Sequence, residues 1–65
     1  MKKKTTGQKL KSLRGKRSRK DLASELGVSV SAVTMYELDE RIPKDEVKKK
    51  YAKIFNSTVE ALFFS

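Results

Sequence analysis

The side chains that could most clearly bind a partner in this chain are lysines and arginines, and they are concentrated at one end. Residues 1–20 contain ten Lys and Arg and no acidic residue, whereas residues 21–65 contain six basic and all eight acidic residues. A basic segment of this density favours a polyanionic partner, such as nucleic acid or an anionic membrane surface. The alternative interpretation is a solvated surface segment with no specific partner.

The composition excludes most catalytic and metal chemistry. The 65 residues include no Cys and no His, which removes disulfides, thiolate and zinc sites and imidazole acid–base catalysis. We therefore predict a protein that is not an enzyme and that needs no metal, cofactor or small-molecule ligand. No apolar run approaches the roughly 20 residues of a membrane span. Because no apolar segment follows the basic N-terminus, we also expect no secretory signal, no membrane partner and a cytoplasmic location.

The elements that must position the charged residues are short helices. Apolar residues recur at helical spacing, and turn residues interrupt them at short intervals. We predict an all-α fold, a compact bundle of five short helices over residues 6–65, behind a flexible basic arm at residues 1–5. The predicted helices cover about 6–16, 18–27, 29–37, 44–55 and 57–64, with Leu10 and Leu13 facing inward in the first and Ser57 as the N-cap of the last.

The central stretch SRKDLASELGVSVSAVTMYE, residues 18–37, describes two helices joined by a sharp turn. Ser18 and Ser29 are suitable N-caps, and Gly27 suits the left-handed position that ends a helix. Ala23 is small where two helices must cross. This pattern is typical of a helix-turn-helix, in which the second helix enters the major groove of DNA and the first crosses the backbone.

With its flanks, this stretch resembles the XRE/Cro-type family, the DNA-binding domain of lambdoid phage repressors and their small bacterial relatives. The resemblance covers about residues 6–64 and depends on the joint order of several pieces. These are LKSLR at 10–14, DLASELGVS at 21–29, V-x-x-Y-E at 33–37, RIP at 41–43 and YAKIFNSTVEALF at 51–63. It implies a lambda repressor-like fold and a sequence-specific, nucleoid-associated transcriptional regulator, which we expect to be a repressor.

The chain departs from the family pattern at two places, and these limit which structural and functional features can be inferred from the resemblance. The connection between the first two helices is about two residues shorter than usual, so we expect helix 1 to end early, near Gly15. Leu38-Asp39 stands where the family often has Asn-Gly, which weakens any inference about loop–phosphate contacts. The resemblance also implies an ion pair between Arg14 and Glu37, so we assign Arg14 to structure and not to DNA.

The resemblance places base-reading positions at the start and outer face of helix 29–37. These are Val30, Ser31, Thr34 and Met35. None is Arg, Asn or Gln, so the strong bidentate contacts to guanine or adenine are missing, and we expect modest readout biased to A·T-containing sites. Val30 and Met35 have the alternative of packing inside the domain.

Phosphate contacts are expected first from Arg19, which stands where the family often has Gln, because a guanidinium adds charge and a fork that suits phosphate. The further candidates are Ser29, Arg17, Lys20, Arg41 and Lys44, and each cation among them has the alternative of being a solvated surface charge. The lysines at 2–4 have two possible courses, along the backbone or into the minor groove.

The C-terminal VEALFF has more large apolar residues than one face of a short helix can bury. We predict a homodimer on a palindromic site, paired through Leu62, Phe63 and Phe64, with the alternative that both phenylalanines fold back on the core. Two other functions stay open. One is an antitoxin-like or regulatory protein-interaction module with the same fold, and the other is non-specific RNA or membrane-surface binding through the basic arm.

Overall fold

A computed structural model describes residues 4–64 and confirms the predicted all-α architecture. Five helices and no strand occur in this part of the chain: α1 Thr6–Arg14, α2 Arg19–Leu26, α3 Val30–Glu37, α4 Asp45–Ile54 and α5 Val59–Phe63. Helix α3 packs against α1 and α2, while α4 packs against α2 and α5, and α5 also contacts α1. The helix-turn-helix pair α2–α3 therefore packs against α1 and α4, and α5 packs on those two helices in turn.

Hydroxyl N-caps set most of the helix starts. Ser18 accepts a hydrogen bond from the backbone N–H of Asp21, and Ser29 accepts one from Ala32. Thr5 caps α1 and forms a reciprocal capping box with Gln8. Each such cap satisfies a backbone donor that the helix itself leaves unpaired, which is worth about 1 kcal/mol. Helices α1 to α4 begin within a residue of the predicted positions, and α4 does so without a side-chain cap.

The predicted N-cap of the last helix is wrong by one residue. Thr58, not Ser57, caps α5, and its hydroxyl accepts from the backbone N–H of Ala61 at 3.0 Å. The N–H of Ser57 donates to the carbonyl of Ala52 at 2.8 Å and closes the end of α4, so Ser57 belongs to the turn before the cap. Asn56, with a φ of 52°, makes the left-handed bend between the two helices.

The core is one apolar cluster drawn from all five helices. Its buried members are Leu10, Leu22, Ala23, Leu26, Ala32, Val33, Tyr36, Tyr51, Ala52 and Leu62. Tyr51 lies at its centre, with ring centroids 6.2 Å from Tyr36, 5.6 Å from Phe55 and 6.0 Å from Phe63. Such edge and tilted arrangements are favourable for aromatic pairs.

Helix α1 is shorter than 6–16 and is rotated from the predicted orientation. It ends at Arg14, which confirms the early end near Gly15, and Leu13 is 48% exposed instead of facing inward. A helix turns about 100° per residue, so Gly7, Leu10 and Arg14 share one face. Leu13 lies about 100° from Arg14 and therefore falls outside that face.

Gly7 sets this rotation because α1 approaches the end of α3 at backbone distance. A Cβ added to Gly7 would lie 2.4 Å from the carbonyl oxygen of Glu37 and 2.8 Å from that of Tyr36. The N–H of Gly7 donates to Oδ1 of Asp39 at 2.8 Å, and Asp39 adopts a φ of 61° to present it. The loop after α3 thus caps the start of α1, a contact that sequence reasoning missed.

Candidate nucleic-acid interface

The turn between α2 and α3 has the geometry that the sequence predicts. Gly27 adopts φ 72° and ψ 33°, and its N–H and that of Val28 donate to carbonyls at the end of α2. Lys50 of α4 also donates to the carbonyl of Leu26 at 3.3 Å. Three residues, 27–29, therefore turn the chain from α2 into α3, and the end of α2 has both backbone and side-chain partners.

The outer face of α3 carries the four predicted base-reading residues. Val30 is 45% exposed and Ser31 is exposed, whereas Thr34 and Met35 are half-buried. The Thr34 hydroxyl donates to the carbonyl of Val30 at 3.2 Å, so it remains available chiefly as an acceptor. Ser31 forms no side-chain hydrogen bond with any residue from 4 to 64. Ser31 is thus the uncommitted polar group of this face.

A cleft beside the start of α3 brings three predicted phosphate contacts together. This "turn cleft" has a volume of about 330 Å³ and is bordered by Ser29, Arg41 and Lys44. Ser29 stands at the positive end of the α3 dipole, where anions are favoured. Neither Arg41 nor Lys44 forms an ion pair within residues 4–64. The cleft therefore combines a helix N-terminus with two uncompensated cations.

The other end of α3 is fixed by a buried carboxylate. Glu37, whose side chain is 1% exposed, accepts hydrogen bonds from Arg14 Nε at 2.7 Å and Arg14 Nη2 at 3.3 Å. This is the ion pair that the family resemblance implies. A second guanidinium, that of Arg19, donates from Nε to the same carboxylate at 3.1 Å.

The family comparison agrees with this geometry. A helix-turn-helix family model matches residues 10–62, which is most of the chain. The chain belongs to the XRE-type helix-turn-helix family. No curated protein and no solved structure matches it. As a member of this family, it is a DNA-binding regulator of the helix-turn-helix class.

The remaining candidates for phosphate contact in this helix-turn-helix differ in how many of their side-chain donors already have a partner in the protein. Arg19 is tied to Glu37 through Nε, but Nη1 and Nη2 form no hydrogen bond with residues 4–64. Arg17 pairs with Glu25 at 3.2 Å on an exposed surface, an arrangement that is worth little and exchanges easily. Lys20 is exposed and has no ion pair in the described part of the chain.

The basic arm is described only at its last two residues. Lys2 and Lys3 lie outside the described residues. Lys4 Nζ donates to the Ser12 hydroxyl at 2.8 Å, and Thr5 is the N-cap of α1. Lys4 and Thr5 are thus both in contact with α1.

The C-terminal apolar residues separate into buried and exposed positions. Leu62 is 2% exposed and belongs to the core, because it lies on the side of α5 that packs against α1 and α4. Phe63 is half-buried against Tyr51, whereas Phe64 is 68% exposed. Lys48 Nζ lies 5.6 Å from the Phe63 ring centroid and 4.8 Å from that of Phe64. A surface at Leu62–Phe64 therefore consists of Phe64 and one side of Phe63.

Other kinds of site are not evident in residues 4–64. No helix there is long and apolar enough to cross a bilayer. No group of three acidic, His or Cys side chains converges within the same residues.

Proposed function

We propose that this chain is a sequence-specific double-stranded DNA-binding regulator, and specifically a repressor, that inserts α3 into the major groove. One observation carries the proposal: cations that form no ion pair in residues 4–64 stand beside the N-terminal end of α3 and on the helix before it. Arg41 and Lys44 lie at its N-terminal end, and Lys20 lies on the preceding helix. Phosphates on either side of a groove would meet these cations.

In this proposal the base-reading residues provide specificity through only a few hydrogen-bonding groups. Ser31 offers a free hydroxyl, and Thr34 offers an acceptor and a methyl group. Val30 and Met35 supply apolar contacts that suit thymine methyls. The expected preference is therefore for A·T-containing half-sites, with DNA shape contributing where no side chain reaches a base.

Arg19 would contact a DNA phosphate, and its hydrogen bond with Glu37 supports this role. Because Nε is held by the Glu37 carboxylate, the guanidinium is fixed in orientation before DNA arrives. The two Nη groups would then donate to a phosphate as a preorganised fork. Ser29, Arg41 and Lys44 would bind a second phosphate at the turn cleft, and Arg17 and Lys20 would contribute further charge.

Repression would follow from occupancy of a promoter by a homodimer on a palindromic operator. Related domains bind two half-sites about one helical turn apart. The exposed Phe64, with the outer side of Phe63 and supported from below by Leu62, is the apolar surface that we assign to the dimer. The DNA partner implies a cytoplasmic, nucleoid-associated location.

The decisive experiment is selection of bound duplexes from a random DNA pool at a defined salt concentration. A palindromic consensus would support both the specific reader and the dimer, while a pool that stays random would refute sequence-specific binding. Steep salt dependence alone would show only phosphate contact.

Variants separate the two kinds of contact. Ser31→Ala should change the base preference at one position of each half-site, whereas Arg41→Gln should weaken binding to all sequences alike and reduce the salt slope by about one. Lys49→Gln removes one exposed charge from a residue that borders neither end of α3, and it is the matched control. Equal effects of Ser31→Ala and Arg41→Gln on every sequence would contradict the assignment.

The second candidate function is an antitoxin-like or regulatory protein-interaction module. The observation in its favour is that Ile42 and Phe64 are large, exposed and apolar, at 78% and 68%. This function predicts no enrichment in the DNA selection, and a purified chain that becomes fully ordered only with a second polypeptide.

A further inference from the structure

A second cleft lies on the other side of the loop that follows α3. This "aromatic cleft" has a volume of about 340 Å³, and its main lining residues are Arg41, Ile42, Pro43, Lys48, Phe63 and Phe64. It is bounded by the loop on one side and by α4 and the end of α5 on the other. Its volume falls at the lower end of the range for small-molecule sites, about 300–1,000 Å³.

The charges in the aromatic cleft favour an anion. Lys48 Nζ is held over both phenylalanine rings, and neither Lys48 nor Arg41 forms an ion pair in residues 4–64. The single acidic residue at the cleft, Asp39, already accepts a hydrogen bond through Oδ1 from the N–H of Gly7. The lining therefore has a formal charge of +1, from two cations and one carboxylate.

The rest of the lining favours a flat apolar body. Ile42 and Phe64 are exposed, and Phe63 is half-buried, so a ring could cover apolar surface that water now reaches. Tyr36 also borders the cleft, and its hydroxyl forms no hydrogen bond with residues 4–64. Apolar walls with a few convergent polar groups are the usual composition of a small-molecule site.

We propose that the aromatic cleft binds a small aromatic carboxylate. Its ring would pack on Ile42, Phe63 and Phe64, and its carboxylate would lie between Arg41 and Lys48. The sequence alone predicts no small-molecule ligand, because these residues come from three separate segments and meet only in the fold.

Ligand binding at this site would affect DNA binding, because the two share a side chain. This inference rests on the proposed function. Arg41, Ile42 and Tyr36 border both the aromatic cleft and the turn cleft. A carboxylate that engages Arg41 in the aromatic cleft withdraws that cation from the phosphate site at the start of α3. The ligand is therefore an antagonist of DNA binding, acting through one shared side chain.

Ligand binding is tested first without DNA, by NMR titration of the ¹⁵N-labelled full chain. The probes are phenylacetate, its neutral analogue phenylacetamide, and acetate, which has the charge but no ring. Phenylacetate should give saturable shifts confined to residues 39–42, Lys48 and residues 63–64. Loss of the charge should weaken binding about tenfold. Equal binding of phenylacetamide, equal shifts with acetate, or no saturation would overturn the proposal.

Two substitutions locate the site. Lys48→Gln should weaken phenylacetate binding about fivefold, whereas Lys49→Gln, an exposed neighbour outside the cleft, should leave it unchanged. If Lys48→Gln unfolds the chain, Phe64→Ala replaces it, since its ring is mostly exposed and should also be needed for binding. Unchanged affinity in the folded variant would refute the site.

The protein must be titrated at a concentration where sedimentation shows a monomer. Because the proposed dimer also uses Phe63 and Phe64, phenylacetate and a second copy compete for this surface. If the monomer gives no saturable shifts with phenylacetate, the ligand site is refuted and the surface belongs to the dimer alone.

The connection to DNA is tested last, on duplexes recovered by selection. Phenylacetate should weaken the complex of the unaltered chain about threefold, the effect expected for loss of part of one phosphate contact. Because Arg41→Gln removes a ligand contact and a phosphate contact together, Lys48→Gln is the control, and it should need about fivefold more phenylacetate for the same effect on DNA. Saturable binding in the NMR titration without any effect on DNA would keep the ligand site and refute the connection. Failure of the DNA selection itself would leave the NMR result standing.

Discussion

Arg14 in α1 and Glu37 at the end of α3 are joined by two hydrogen bonds, with Arg14 Nε 2.7 Å from Glu37 Oε2. The pair spans 23 positions in sequence and fixes the C-terminal end of α3 to α1. Arg19 adds a third hydrogen bond to the same carboxylate from the more exposed side. The two arginines thus share one partner but differ in how much solvent screens them.

Removal of these arginines should have unequal effects on stability. Arg14→Met should lower the free energy of unfolding by about 3–5 kcal/mol, because it leaves a buried carboxylate without its main partner. Arg19→Met should cost only about 0–1 kcal/mol, since solvent screens its contact. Urea denaturation of both variants at pH 7 measures the difference, with Lys20→Met as the control for loss of an exposed α2 charge. Similar losses for both arginines would contradict the geometry.

Substitution of Gly7 tests the close approach of α1 to α3. On an open helix, Gly→Ala stabilises by about 1 kcal/mol. Here the added methyl would meet the Glu37 carbonyl at 2.4 Å, so we expect Gly7→Ala to destabilise by about 1–3 kcal/mol. Lys11→Ala on the exposed part of the same helix is the control. A higher melting temperature for Gly7→Ala would show that the two backbones do not approach in this way.

The elements that could be predicted from the sequence are those determined by neighbouring residues. Ser18, Gly27 and Ser29 act on backbone groups within five positions of themselves, so they predict the start, the turn and the second helix. Family resemblance added the Arg14–Glu37 pair. The cap of α5 was predicted wrongly although the deciding contact is equally local, because the turn that closes α4 through the N–H of Ser57 and the carbonyl of Ala52 moves the cap of α5 to Thr58.

Features that depend on distant residues were not accessible from the sequence. The exposure of Leu13 follows from the rotation of α1 that Gly7 imposes through Glu37, thirty positions away. The aromatic cleft is similar, since it draws on the loop, α4 and the end of α5. For the candidate site, the base-reading positions on the outer face of α3 followed from the family resemblance, whereas the meeting of Arg41 and Lys44 beside Ser29 required the fold.

Tyr51 gives a prediction about alkaline pH. Its hydroxyl is buried without a hydrogen-bond partner in residues 4–64, and burial, followed by the nearby Glu37 carboxylate, raises the pKa of the phenol well above 10. The folded state thus keeps a proton that the unfolded chain releases. The ionisation of Tyr51 therefore does not affect stability below about pH 10, and it lowers the free energy of unfolding as the pH rises further, by up to about 1.4 kcal/mol per pH unit.

Tyr51→Phe isolates this effect. It removes a buried hydroxyl that has no partner, so the free energy of unfolding at pH 7 should rise, by about 1 kcal/mol. Between pH 10 and 11 the variant should lose less stability than the unaltered chain. Denaturant titrations at pH 7, 10 and 11 make the comparison. Parallel pH profiles, or a clear loss of stability at pH 7, would show that the hydroxyl has a partner.

The last prediction separates the core and surface roles of the C-terminal residues. Phe64→Ser should leave the free energy of unfolding within about 0.5 kcal/mol, because the ring is mostly exposed. It should weaken the proposed dimer by about tenfold or more, since each copy would lose one buried ring.

Leu62→Ala is the contrasting variant, because it opens the core and should cost about 2–5 kcal/mol. Sedimentation equilibrium measures association, and urea denaturation measures stability. If Phe64→Ser associates as the unaltered chain does, the dimer uses another surface, and the exposed apolar side of the loop at Ile42 becomes the next one to test.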